Sequence, residues 1–431
     1  MHRLDRLRNL RYHHKLVLSV LIVFGILVLI VLVARDRETL QIVSEYGAQD
    51  PRFPDYVAAL AGAQTTSGNT FDILENGDRF FPPMLADIDG ARTLVDLETY
   101  IYEKGAVADQ FTAALVAAAR RGVTVNLVID ALGSKKMPRE AWDRLRDAGV
   151  HLGDYGTPTW YKLQQINYRT HRKVLVVDGR VAFVGGAGVA DHWLGDAQDP
   201  AHWRDMMVRI EGPIVRLLEG AFNANFVSTV RPVTPIVAPV RAAGAPAPQK
   251  SAFLVQSSAN SGSNDLKRVY MIAIAGARQT LDICSPYFLI DQSSRWAFAQ
   301  AAARGVRIRI LVEGDQTDAR IVKFASRAAY DNLMAEGIQI YEYQPTMMHA
   351  KAMIVDGAWS MFGSANFDNR SLELNDELNV VAVDRPLAER LTREFEHDLR
   401  SAKRLDRDEW RHRSPLEKAR EHFWSYFGEV F

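Results

Sequence analysis

Cysteine, surplus charge and long apolar runs are all scarce in this 431-residue chain. A single cysteine, Cys284, excludes an internal disulfide and any cysteine-based zinc or iron–sulfur site. Lys+Arg and Asp+Glu balance at 52 each, so the chain lacks the basic excess of proteins that track nucleic-acid phosphates. With 48% apolar and 24% charged residues, wholesale disorder is excluded too. The length suffices for two or three domains, each with a proper core.

Only one apolar run is long enough for a bilayer. Leu16–Ala34 is nineteen uncharged residues, about 28 Å as a helix against a hydrocarbon core of roughly 30 Å. A buried soluble helix would carry a polar stripe, and this run has none. A cleaved signal peptide would have a shorter apolar region and a small-x-small site, whereas this run ends directly in Arg35-Asp36-Arg37-Glu38. It reads as one transmembrane anchor. Arg3, Arg6, Arg8, Arg11 and Lys15 precede it and only Arg35 and Arg37 follow closely. The positive-inside rule then puts the N-terminus in the cytoplasm and the body outside the cell (inner) membrane.

The body repeats itself. Arg231–Lys250 holds five of seventeen prolines and reads as a stiff linker between two blocks. In the first block the strand-like run Thr93–Tyr102 leads to an alanine-rich helix ending at Gly122, then to the apolar run Val123–Ile129. In the second, Thr280–Phe288 leads to an alanine-rich helix ending at Gly305, then to Val306–Val312. A second helix closes at Gly149 or Gly337 and another strand follows. Alternating helix and strand predicts an α/β fold, with two pseudo-symmetric halves each built as a mixed sheet flanked by helices. The expected organisation is an N-terminus and anchor over 1–40, a first half over 41–230, a linker over 231–250 and a second half over 251–431. The last ends in an amphipathic segment, Ser414–Phe431, whose aromatics suit a bilayer interface or packing on the body equally well.

Each half also carries His-x-Lys with an Asp five residues past the Lys: His171, Lys173 and Asp178, then His349, Lys351 and Asp356. Asp-Gly is a hairpin turn signal, so His-x-Lys is expected on one hairpin strand. Gly185-Gly186 or Gly363-Ser364 then ends its partner. In a strand, residues two apart share a face, which sets each His beside its Lys. The Asp stands seven positions past the His, an odd number, which suggests that it fixes the turn or nearby backbone. One such pair would be an ordinary basic pair; two in the same context point to a joint site.

Two imidazoles and two ammonium groups make a cationic site for a phosphate with no metal or cofactor required. One neutral His can attack phosphorus while the other, protonated, serves the leaving oxygen. A catalytic His also needs an orienting carboxylate, and Asp205 and Glu377 lie at similar distances downstream of the two motifs.

These residues resemble the phospholipase D superfamily and, within it, the bacterial cardiolipin synthases. The resemblance rests on the doubled motif with Leu97–Tyr102, Asn167–Lys173, Val208–Pro213, Ser285–Phe288, Tyr341–Tyr343, Met348–Lys351 and Gly363–Ser371. It covers about residues 70 to 415. It implies one active site between the halves and transfer of a phosphatidyl group between two phosphatidylglycerols at a membrane, releasing glycerol. It further implies His171 as nucleophile and His349 as general acid, with Lys173, Lys351, Ser364 and Asn366 toward the phosphate. One departure is Gly188, where the family commonly has the counterpart of Asn366. Water as acceptor would make the same residues a hydrolytic phospholipase D. A superfamily nuclease would need a basic track, yet after the net +4 of residues 1–15 the remainder sums to −4. No nucleic-acid partner is expected. Intact His and Lys in both motifs disfavour a non-catalytic binding protein.

Overall fold

The computed structural model describes residues 14–25, 40–157, 168–229, 250–258 and 263–427. The chain divides into two units, Met1–Leu40 and Gln41–Phe431. In the first, residues 14–25 are helical and exposed. The apolar run continues to Ala34, outside the described residues. Among the described residues no helix is long and apolar enough to cross a membrane. Nearly all of the proline-rich linker also lies outside them.

Among the described residues sixteen strands build two mixed sheets. Through the first motif they are β1 (Thr66–Ser67), β2 (Thr70–Glu75), β3 (Leu94–Thr99), β4 (Thr124–Asp130), β5 (His151–Tyr155), β6 (Val174–Val177), β7 (Val181–Gly185) and β8 (Met206–Glu211). After the linker come β9 (Ser251–Ser257), β10 (Thr280–Cys284), β11 (Arg307–Glu313), β12 (Gln339–Tyr343), β13 (Ala352–Val355), β14 (Trp359–Gly363), β15 (Glu377–Val383) and β16 (Ala402–Arg404). The first sheet runs β2-β8-β7-β6-β3-β4-β5. The second repeats that order as β9-β15-β14-β13-β10-β11-β12, with β1 and β16 added at its edges. β3-β4-β5 and β10-β11-β12 pair in parallel, as expected where helices such as Ala106–Arg120 and Gln292–Ala303 form the crossovers. The duplication read in the sequence is therefore a duplication of topology.

Local chemistry explains the elements. Four helices run into glycines with φ between 83° and 89°, Gly122, Gly149, Gly305 and Gly337, the left-handed residue that ends a helix and releases the chain toward a strand. The central strands are apolar on both faces and buried. One hydrophobic core takes Val174, Val176, Phe222 and Phe226 from the first half with Ile354, Phe362, Val380 and Phe395 from the second. Helices Val215–Thr229 and Arg385–Leu399 supply much of it. The halves thus share an interior, which fixes their relative placement.

Candidate active site

The two hairpins form where Asp-Gly predicts them. Asp178 and Gly179 have φ of 51° and 58°, and Asp356 and Gly357 have 52° and 61°. The N–H of Arg180 closes one turn onto the carbonyl of Val177 at 3.0 Å, and that of Ala358 closes the other onto Val355 at 3.1 Å. Positive φ at both central residues is the type I′ geometry that suits a twisted hairpin.

The His-x-Lys residues precede β6 and β13 and do not sit within them, a correction to the expectation of a single strand. At that point the chain leaves its own sheet for the other half. The His171 N–H donates to the carbonyl of Asp376 at 2.9 Å, and the Asp376 N–H to that of Arg169 at 2.8 Å. In the second half the His349 N–H donates to Arg204 at 2.7 Å and the Arg204 N–H to Met347 at 2.9 Å. Each motif is strapped to the residue just before the other half's acid.

The carboxylates therefore cross over. His171 Nδ1 lies 2.8 Å from Glu377 Oε1, and His349 Nδ1 lies 2.7 Å from Asp205 Oδ2. Each leaves Nε2 as the ring nitrogen turned away from its carboxylate. Lys351 Nζ is 2.9 and 3.0 Å from the two ring nitrogens of His349, and Lys173 Nζ donates to the carbonyl of His171 at 2.7 Å. All six side chains are buried.

Burial dominates the electrostatics. It pushes His171 down to about 4 against the pull of Glu377, with Lys173 and Lys351 adding to the fall. Burial, then Lys351 and Lys173, drive His349 well below the imidazole range. Burial lowers Lys351 to about 8 and Lys173 well below its ordinary value. The two acids differ. Burial raises Asp205 to about 6, whereas Glu377 falls because His171, Lys173 and the Ser364 hydroxyl outweigh its burial. Their surroundings thus favour the neutral form of both imidazoles, whereas the negative charge of a phosphate favours protonation.

Ser364, expected at the phosphate, is committed elsewhere. Its hydroxyl donates to Glu377 Oε2 at 2.6 Å and accepts the Leu378 N–H at 3.1 Å. Asn366 is buried beside this cluster, and its amide Nδ2 is the end that can donate to a phosphate oxygen. Asp178 and Asp356 are committed to backbone. Asp178 accepts the N–H groups of Arg92, Thr93 and Leu94, and Asp356 those of Arg278, Gln279 and Thr280. These amides, outweighing burial, lower the Asp178 carboxyl. Its stabilisation is therefore present above the ordinary carboxylate range and fades as pH falls through the lowered value. Asp178→Ala is expected to cost about 2 kcal/mol by orphaning the amides, read in chemical denaturation at pH 7 with the pH dependence of turnover unmoved.

The carboxylate supports are asymmetric. Asp205 Oδ2 accepts the Trp193 indole N–H at 2.9 Å, a residue that motif reading missed because it has no counterpart after the second motif. A Cβ on Gly186 would lie 2.4 Å from Asp205 Oδ1, so glycine there is required by close approach. Gly188 is likewise hemmed in: its Cβ would meet the Ile101 carbonyl and the Trp193 ring at 3.0 Å. Ile101 and Trp193 together leave little room for an asparagine side chain at this position. Gly188→Asn is accordingly expected to lower stability by about 1–3 kcal/mol and bring no gain in turnover; a rise in kcat would overturn this. Trp203 and Trp193 also flank the His349 ring at 5.2 and 5.5 Å, while Tyr100 flanks His171 at 5.1 Å.

A duplicated sheet with a pair of carboxylate-backed imidazoles and lysines between its halves defines a phospholipase D-like enzyme. The model for the cardiolipin synthase, phospholipase D-like domain matches residues 84–224 and 270–399, and the chain belongs to that family. It is 29% identical to a probable cardiolipin synthase of Bacillus subtilis strain 168, over 92% of this chain and 79% of that protein. It is 32% identical to the cardiolipin synthase of Geobacillus kaustophilus, over 79% of this chain and 68% of that one. Cardiolipin synthase A of Pseudomonas putida strain GB-1 is also 32% identical, over 80% and 71%. Among solved structures, phosphatidylserine synthase of Haemophilus influenzae shares the fold with a TM-score of 0.71 at 14% identity, covering 88% of this chain and all of that one. Polyphosphate kinase of Porphyromonas gingivalis gives 0.51 at 14% identity, covering 84% and 54%.

Proposed function

We propose that this chain makes cardiolipin by moving a phosphatidyl group from one phosphatidylglycerol to the glycerol of another. The chain is a phosphatidyltransferase of the phospholipase D type. The observation that carries the proposed chemistry is the crosswise pair His171–Glu377 and His349–Asp205 beside two lysines. Nε2 of neutral His171 attacks phosphorus, the bond from phosphorus to the departing glycerol oxygen breaks, and His349 gives that oxygen its proton. The second glycerol hydroxyl then returns a proton to His349 and attacks phosphorus. The nitrogen–phosphorus bond breaks and His171 is freed. Lys173, Lys351 and Asn366 hold the non-bridging oxygens.

The same reading places the enzyme at a membrane through a single span over Leu16–Ala34 with a cytoplasmic N-terminus, supported by the length of the run and by its flanking arginines. The test is to give the membrane-embedded protein labelled phosphatidylglycerol and identify the products. Cardiolipin with an equal amount of glycerol is expected; phosphatidic acid alone would mean hydrolysis. A reporter fused at the C-terminus checks the topology, and a cytoplasmic signal there would reverse it.

A further inference from the structure

The C-terminal helix Pro415–Ser425 is built inside out. A helix on a protein surface normally buries its apolar stripe, yet the residue this one buries is Glu421. Leu416 is 79% exposed, Phe423 56% and Tyr426 74%. They recur at spacings of seven and three, on one side of the helix. Polar contacts hold the opposite side. Glu421 takes both nitrogens of Arg413 at 2.6 and 2.9 Å and Arg327 at 3.1 Å. The buried Trp410 ring is covered by the guanidinium groups of Arg413 and Arg327 at 3.3 and 4.6 Å. Arg420 lies 3.8 Å over Phe324 of the neighbouring helix Arg320–Arg327, where Ile321 is 40% exposed. An ion pair and stacked guanidiniums fasten this element, leaving its apolar side to the outside.

Location and charge say what that side meets. Helix Arg320–Arg327 follows the loop holding Asp318, whose carboxylate accepts from Tyr287 Oη at 2.5 Å. Two residues on, the Leu289 N–H bonds the Phe367 carbonyl, next to Asn366. Helix Arg320–Arg327, on which the C-terminal helix packs through Arg420 and Phe324, thus starts beside the segments that frame the active site. On segments 320–327 and 411–427 the exposed cations Arg320, Arg411, Lys418 and Arg420 stand against the single exposed carboxylate of Glu417, in a body that sums to −4.

We propose that Leu416, Phe423, Tyr426 and Ile321 dock into the surface of an anionic phospholipid bilayer, holding the mouth of the active site against its lipid substrate. The proposal rests on the phosphatidylglycerol reading above. An amphipathic face with apolar anchors and a cationic surround lies in the interface plane by combining apolar burial with attraction to acidic head groups. Its work here is orientation, since an N-terminal tether brings the chain near the membrane without aiming its mouth.

The test compares the full chain with its Leu416→Ser/Phe423→Ser/Tyr426→Ser variant on two substrates. On phosphatidylglycerol vesicles the variant is expected to lose about tenfold in rate at low lipid density. On a short-chain phosphatidylglycerol below its critical micelle concentration it stays within about twofold, and thermal unfolding is unchanged. Equal loss on both substrates, or no loss on either, would overturn the proposal. So would self-association of the wild type that the variant abolishes with vesicle rates intact, which would make this face a contact between copies. Wild-type inactivity on both substrates would instead sink the lipid reading itself.

Discussion

His171→Ala is expected to abolish phosphatidyl transfer, a fall of about 10³-fold or more, and His349→Ala to do the same on phosphatidylglycerol. Equal losses would not separate their roles; the leaving group does. Glycerol leaves as a poor alkoxide and needs a proton, whereas p-nitrophenol leaves without one. With a phosphatidyl p-nitrophenyl ester, His349→Ala is therefore expected to release a burst of p-nitrophenol. It should also retain acid-labile label on His171, because no base then deprotonates the acceptor. His171→Ala gives neither burst nor label. A burst from His171→Ala and none from His349→Ala would exchange the two roles, and label in neither variant would reject the covalent route. The ring nitrogens make this readable: Nδ1 of each His is taken by a carboxylate, so label belongs on Nε2 of His171.

Much of this arrangement is legible in the chain because its signals are local. Hairpin turns need Asp-Gly, helix ends need glycine, and buried strands need β-branched runs; each signal recurs in both blocks at Asp178 and Asp356, Gly122 and Gly305, Val123–Ile129 and Val306–Val312. Asp205 and Glu377 were legible as acids, but not their partners. The pairs span 206 and 144 residues. They follow from backbone bridges, Thr170 to Asp376 and Arg204 to Met348, that leave no periodicity in the sequence. The contact of Ser364 was hidden for the same reason, since its hydroxyl donates to Glu377 across a strand pair and not to the motif beside it. Trp193 carries no motif at all. Its role emerges only once Asp205 is seen packed over Gly186, within reach of the indole.

The two acids should betray their different surroundings in the pH profile. Asp205 works ionised and titrates at about 6, so kcat/KM is expected to rise with pH through that value. Lys351 works protonated and titrates at about 8. The alkaline limb therefore falls at or below about 8, since Lys173 and the proton-donating His349, both lowered by burial, can only bring it down. Deprotonation of His171, at about 4, lies clear of both limbs. Glu377 is held ionised by His171, Lys173 and Ser364 and adds no limb near neutrality. Asp205→Asn and Glu377→Gln should each lower kcat by about 10²- to 10⁴-fold, because the amide fixes the wrong tautomer of its imidazole and no longer supports a positive charge there. Only Asp205→Asn also erases the limb near 6. An acid limb that survives Asp205→Asn, or disappears in Glu377→Gln, would break the assignment. Because Asp205 serves the second half's motif His and Glu377 the first's, neither His349 nor His171 finds its carboxylate partner within its own half. That dependence is a physical reason for the duplicated halves to stay fused around one core.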